Sequence, residues 1–180
     1  MARMKANEKS KMSKMSAAKR VTTVGALAAL ALIFSYVEAL IPFNFGVPGI
    51  KLGLANLVVV TGLYYLSVWD VLAVSLIRIL IAGLLFGNGV SIIYSLAGGL
   101  LSFVIMCAVK KTGAFSIVGV SVLGAVFHNV GQIAAACFVM KTAVIFYYLP
   151  ILMIAAVATG FLLGFVSGRV LKILQKQLQH

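Results

Sequence analysis

Few side chains in this sequence can do chemistry, and those few sit in apolar surroundings. Arg78 falls inside a long apolar segment, and Glu38 lies near the end of another. A charge within a bilayer costs several kcal/mol unless it is paired or wetted. Arg78 therefore calls for either Glu38 as an ion-pair partner or an anionic ligand, and the sequence leaves both open. His128 and Gln132 fall with Ser121, Gly124 and Ala135 at steps of three and four, so they share one helical face, with Asn129 beside it. A lone histidine there would read as a packing residue, but the three polar residues together read equally as the lining of a cavity. Ser91, Tyr94, Ser95, Gly98 and Ser102 form a similar stripe. Two helices with polar faces predict one shared polar cavity.

Other chemistries are excluded by what is scarce. The acids number three, Glu8, Glu38 and Asp70, far apart in sequence. Paired catalytic carboxylates, carboxylate metal cages and Asp-rich magnesium sites all need clustered acids. No catalytic residue, metal ligand set or cofactor is expected. Cys107 and Cys137 lie in apolar segments without CxxC spacing and read as small buried hydrophobes. No phosphate-binding Walker motif occurs, so any ATP hydrolysis would come from partners.

The elements that must position these residues follow from composition. The chain has 180 residues, 63% hydrophobic and 10% charged, with a mean hydropathy of +1.15. Soluble domains carry about 25% charged residues, so this is an all-α integral membrane protein. Residues 1–20 form a basic tail without apolar periodicity, expected to be disordered or to lie on anionic headgroups. Residues 21–170 are apolar almost without pause and hold about six spans at about 20 residues each plus turns. Residues 171–180 form a second basic tail.

Punctuation places the spans near 21–41, 52–66, 70–86, 90–109, 115–139 and 143–170. Pro42 stops the first, Asp70 reads as the N-cap of the third, and Pro150 interrupts the last. The second is short for a crossing. A signal peptide is not expected, because the first apolar stretch exceeds the usual core of about 7–15 residues and no small-x-small cleavage site stands out before Pro42.

The net charge of +12 would suggest nucleic acid in a soluble protein, but its placement reads as topology. Arg3, Lys5, Lys9, Lys11, Lys14, Lys19 and Arg20, then Lys110 and Lys111, then Arg169, Lys172 and Lys176 all fall on one side of a six-span chain. Lys51 and Lys141 fall on the other. Both termini are expected in the cytoplasm of a cell-membrane protein, with the bilayer as a partner and no nucleic acid.

The loop after the first span holds Phe43, Asn44 and Phe45 among prolines and glycines, an inert connection or a lid over an outward pocket. Asn88, Tyr147 and Tyr148 should lie at the same outer level, the tyrosines also fitting an interfacial belt. Small residues four apart, at Gly160, Gly164 and Gly168, at Gly25 and Ala29, and at Ala155 and Thr159, let helices approach closely in lipid. Each such stripe is expected to face another helix, and the smooth first helix is the better candidate for meeting a separate subunit.

The residues KLGLANLV (Lys51 to Val58), RILIAGLLFGNGVSIIYSLAGGLLSF (Arg78 to Phe103) and FSIVGVSVLGAVFHNVGQ (Phe115 to Gln132) resemble the Gx transporter family. That family is related to the S components of energy-coupling factor transporters, and its members often carry the label heptaprenyl diphosphate synthase component I. The resemblance covers about residues 21–169. It implies a six-helix S component bundle that holds a vitamin-like substrate near the outer face, under the loop joining the first two helices. It also implies docking on a transmembrane coupling subunit driven by two ATPases, through a small-x-x-x-small motif on the first helix. Many S components have Ala at both positions; here they are Gly25 and Ala29.

On that reading the small anionic substrate is neutralised by Lys51 and Arg78. Asn56, Asn88, Tyr94, His128, Asn129 and Gln132 orient it, and Phe43, Asn44 and Phe45 cover it. The synthase label implies an alternative, a non-catalytic membrane accessory or isoprenoid carrier, because prenyl synthases hold magnesium with Asp-rich motifs and this chain has a single Asp. Some relatives also resemble membrane components of flavin-based extracellular electron transfer, although no flavin-attachment motif or haem ligand pair occurs here.

Overall fold

The computed structural model describes residues 16–40 and 53–177. Lys51, Phe43, Asn44 and Phe45 lie outside the described residues. Among the described residues six α-helices follow one another: α1 (Ala17–Leu40), α2 (Asn56–Tyr65), α3 (Val68–Phe86), α4 (Gly89–Thr112), α5 (Ile117–Met140) and α6 (Leu149–Gln177). A 3₁₀ turn, Val144–Tyr148, leads into α6. Five of the helical segments are long and apolar enough to cross a membrane.

The short helix is the organising element. At about 1.5 Å per residue a ten-residue helix covers about 15 Å, half of the roughly 30 Å hydrocarbon core. The second of the six expected spans is thus a half-length helix. It is tolerable because α2 sits inside the bundle and touches each of the five long helices. Seven of its ten residues are buried, from Asn56 to Leu63 with only Leu57 partly open. Lys110 on α4 donates from Nζ to the Leu63 carbonyl and lies 4.8 Å from the Tyr64 ring centre, so the end of α2 is held by a cation.

Several boundaries differ from the sequence expectation, each for a local reason. α1 begins at Ala17, inside the expected basic tail, where Ser16 Oγ accepts from the Lys19 amide at 3.3 Å and two alanines favour helix. Arg20 is then held by Asp70, which receives its guanidinium at 2.6–3.0 Å. The cap of α3 is Ser67 rather than Asp70. Ser67 Oγ accepts from the Asp70 amide at 3.1 Å and donates to its carboxylate at 2.7 Å, a capping box. Pro150 does not interrupt α6; it falls in the first turn, where its missing N–H costs no helical bond. α6 also runs on to Gln177 through the expected second tail.

The Arg20–Asp70 pair and the Tyr36–Phe86 ring contact at 5.0 Å show that α1 and α3 run parallel. With α2 returning between them, the chain goes up and down through the bundle. Both described ends finish together, since Lys19 and Leu174 line one groove of ≈490 Å³ with Ala26 and Tyr65.

Candidate functional site

Four elements bring polar side chains to the head of α2. Gly53 turns into the helix with φ +86°, in the left-handed region, and a Cβ there would lie 3.1 Å from Asn56 Nδ2 and 3.4 Å from His128 Cδ2. Glycine is what allows the chain to press against both. The Gly53 amide donates to Glu38 Oε1 of α1. From α3, Arg78 Nη2 reaches Asn56 Oδ1 at 3.4 Å, the outer limit of a hydrogen bond. Glu38 also lies within electrostatic reach of Arg78.

Glu38, Asn56, Arg78 and His128 are 6%, 5%, 4% and 2% exposed. Three donors or hydroxyls around this head have no hydrogen-bond partner among the described residues: Arg78 Nε, Asn56 Nδ2 and Ser35 Oγ, the last one turn before Glu38. Unspent polar groups of this kind are costly in an apolar interior. The amides that open α2 are already used. Those of Asn56, Leu57 and Val58 donate to the carbonyls of Gly53, Leu54 and Ala55 at 2.8, 3.1 and 3.2 Å. The unspent side-chain donors at this point suit an acceptor-bearing or anionic group.

The structure thus gathers Asn56, Arg78 and His128 from the residues singled out in the sequence. Glu38, which the sequence offers as a partner for Arg78, acts on it electrostatically and also anchors the turn; the structure adds Gly53, whose only sequence signal is its place in KLGLAN. The other candidates have different surroundings. Asn88 is exposed and its Oδ1 accepts from the Ser91 amide at 2.8 Å, so it caps α4. Tyr94 is buried in an apolar cluster with Ile133, Ala136, Ile145 and Leu152. Asn129 Nδ2 donates to the Leu152 carbonyl at 3.0 Å and ties α5 to α6.

The polar stripes of α4 and α5 meet, but as a close seam where the sequence predicted the walls of a cavity. A Cβ on Gly98 would lie 2.6 Å from the His128 carbonyl oxygen and 2.7 Å from Gln132 Cγ. One on Gly131 would lie 2.8 Å from the Gly98 Cα. Ser102 Oγ closes the seam further along by donating to the Gly124 carbonyl at 2.7 Å. Glycines let the backbones approach, and approach removes the space between the stripes. Gln132 belongs to this seam, while His128 extends from it toward Gly53.

On the outer surface of α1, Gly25 has nothing within 4 Å of an added Cβ, and Ala29 is exposed. Among the described residues no helix covers Gly25, so the expectation that each stripe packs on another helix of the bundle does not hold at this position. Gly160 and Gly164 do face one: a Cβ on either would lie 2.7 Å from a Cα of α5.

A family model described as heptaprenyl diphosphate synthase component I matches residues 27–170. The chain belongs to that family. Within this component I family member the matched region takes in Glu38, Gly53, Asn56, Arg78 and His128 and begins just after Gly25. No curated protein and no solved structure matches the chain.

Proposed function

We propose that this chain is the substrate-binding membrane subunit of an uptake transporter of the energy-coupling factor type. It sits in the cell membrane with both termini in the cytoplasm and captures a small anionic substrate from outside. The observation that carries the reading is Arg78, buried at 4% exposure at the meeting point of four helices with its Nε unspent. A guanidinium in that position needs an acceptor, and a captured anion supplies one. The clustering of Lys19, Arg20 and Lys110 toward the end where the described chain starts and finishes favours that end as cytoplasmic. The head of α2, at the other end of that helix, would then open outward. The uncovered stripe of Gly25 and Ala29 on α1 offers a smooth surface for a coupling subunit that would bring two ATPases.

Co-purification tests this reading. The chain, produced with a tagged coupling subunit and its two ATPases, should be retained on the tag. Absence of retention under conditions that hold an established S component would refute it.

A second reading takes the family description at its word: a membrane accessory that presents a prenyl diphosphate to a soluble synthase component. It predicts faster prenyl transfer by that synthase when this chain is added in membranes, and an unchanged rate would remove it.

A further inference from the structure

Resting on the substrate-binding reading, we infer that the centre at Arg78 recognises a single carboxylate, and that the ligand is a monocarboxylic organic acid rather than a phosphate or diphosphate ester. Three features carry this. Formal charge comes first. Among the described residues Arg78 is the cation at the head of α2, and the Glu38 carboxylate acts on it through space, so the pair is neutral before any ligand arrives. A carboxylate leaves one net charge to be absorbed by donors, whereas a diphosphate leaves two or three in a buried site. Lys110 is held at the far end of α2.

Donor count is the second feature. Among the described residues the unspent donors are Arg78 Nε and Asn56 Nδ2, with Ser35 Oγ one turn before Glu38 on α1. The planar guanidinium fork matches the two coplanar oxygens of a carboxylate, with the Asn56 amide free to supply a third hydrogen bond. A phosphate ester presents more oxygens than these groups serve. The third feature is the state of the helix terminus. Phosphates bind helix N-termini through free backbone amides, but the amides of Asn56, Leu57 and Val58 are bonded to the carbonyls of the preceding turn, and that of Gly53 to Glu38. These four amides are spent and offer a phosphate nothing.

The test uses the full chain purified in lipid nanodiscs. Bound small molecules are released by denaturation, tagged at carboxyl groups with an isotope-labelled amine, and weighed by high-resolution mass spectrometry. The expected occupant takes one tag and contains no phosphorus. Its occupancy should fall at least tenfold in Arg78→Lys, which keeps the charge and loses the fork. Because a lone change at Arg78 strands Glu38, the double variant Arg78→Gln with Glu38→Gln is included; it should melt cooperatively like wild type stripped of its occupant, carry no occupant and gain no stability from benzoate. A phosphorus-bearing or untagged occupant, or one retained in Arg78→Lys, overturns the carboxylate assignment while leaving a binding subunit in place. A wild-type chain that carries nothing and is not stabilised by added benzoate overturns the assignment together with the binding-subunit reading.

Discussion

Two stripes of small residues, alike in sequence, have opposite fates. On α6, Gly160 and Gly164 sit directly against the α5 backbone, at Val122 and Val118. On α1, Gly25 has open space around it and Ala29 is exposed. Over their apolar stretches the two helices are buried to similar extents, 22% for α1 and 28% for the segment that contains α6, so the difference lies at the stripes themselves. Spacing of small residues marks where a backbone can be approached, and it does not say by whom. In lipid an unapproached stripe costs little, because acyl chains cover it as readily as a helix does.

Adding bulk on α6 is the strongest way to sharpen this contrast. Gly160→Ala or Gly164→Ala gains about 1 kcal/mol of helix propensity but loses about 1–3 kcal/mol to overpacking, and leucine at either position loses more. Both leucine variants should show a clearly lower melting temperature in detergent and poor recovery of monomer. Unchanged melting would mean that the α5–α6 contact is not close.

A middle-sized effect should come from the cap that orients the anchor of α1. Ser67→Ala removes the cap of α3 and a hydrogen bond to Asp70, a loss of about 1 kcal/mol. Thermal melting reads it. Arg20→Gln should do less, and its effect should vanish in high salt, because the pair is exposed on the arginine side. If Arg20→Gln destabilised as much as the α6 variants, α1 would be held by charge and not by packing.

The smallest effect on the isolated chain belongs to Gly25→Leu and Gly168→Leu, where nothing stands within 4 Å. Melting should be unchanged in both. Association with a coupling subunit, measured by retention on its tag, should be lost in Gly25→Leu and kept in Gly168→Leu. Loss of stability in Gly25→Leu alone would break the comparison.

Much of the architecture was legible because it depends on local pattern. Apolar runs, turn glycines and the distribution of lysine and arginine place the helices and their order without knowledge of any contact. The errors are instructive. Asp70 reads as a cap because it stands at an apolar edge, but the helix starts at Val68, so Ser67 is the flanking residue whose side chain accepts from the Asp70 amide. The stripe from Ser91 to Ser102 reads as a cavity wall because it is polar. The glycines within and opposite it, Gly98 and Gly131, let the two backbones close instead. Asn88 and Asn129 looked alike in type to Asn56, yet one caps a helix, one ties two helices, and one joins Arg78.

By itself the sequence determined the class, the number and order of the helices and the segregation of positive charge. Those follow from hydropathy and charge along one dimension. Only the tertiary structure decided that Glu38, Gly53, Asn56, Arg78 and His128 share one buried point, and that one small-residue stripe is filled while the other is open. Both depend on how each helix is rotated about its axis and how closely its neighbour approaches. Contacts between segments far apart in sequence set these quantities, and no local pattern encodes them.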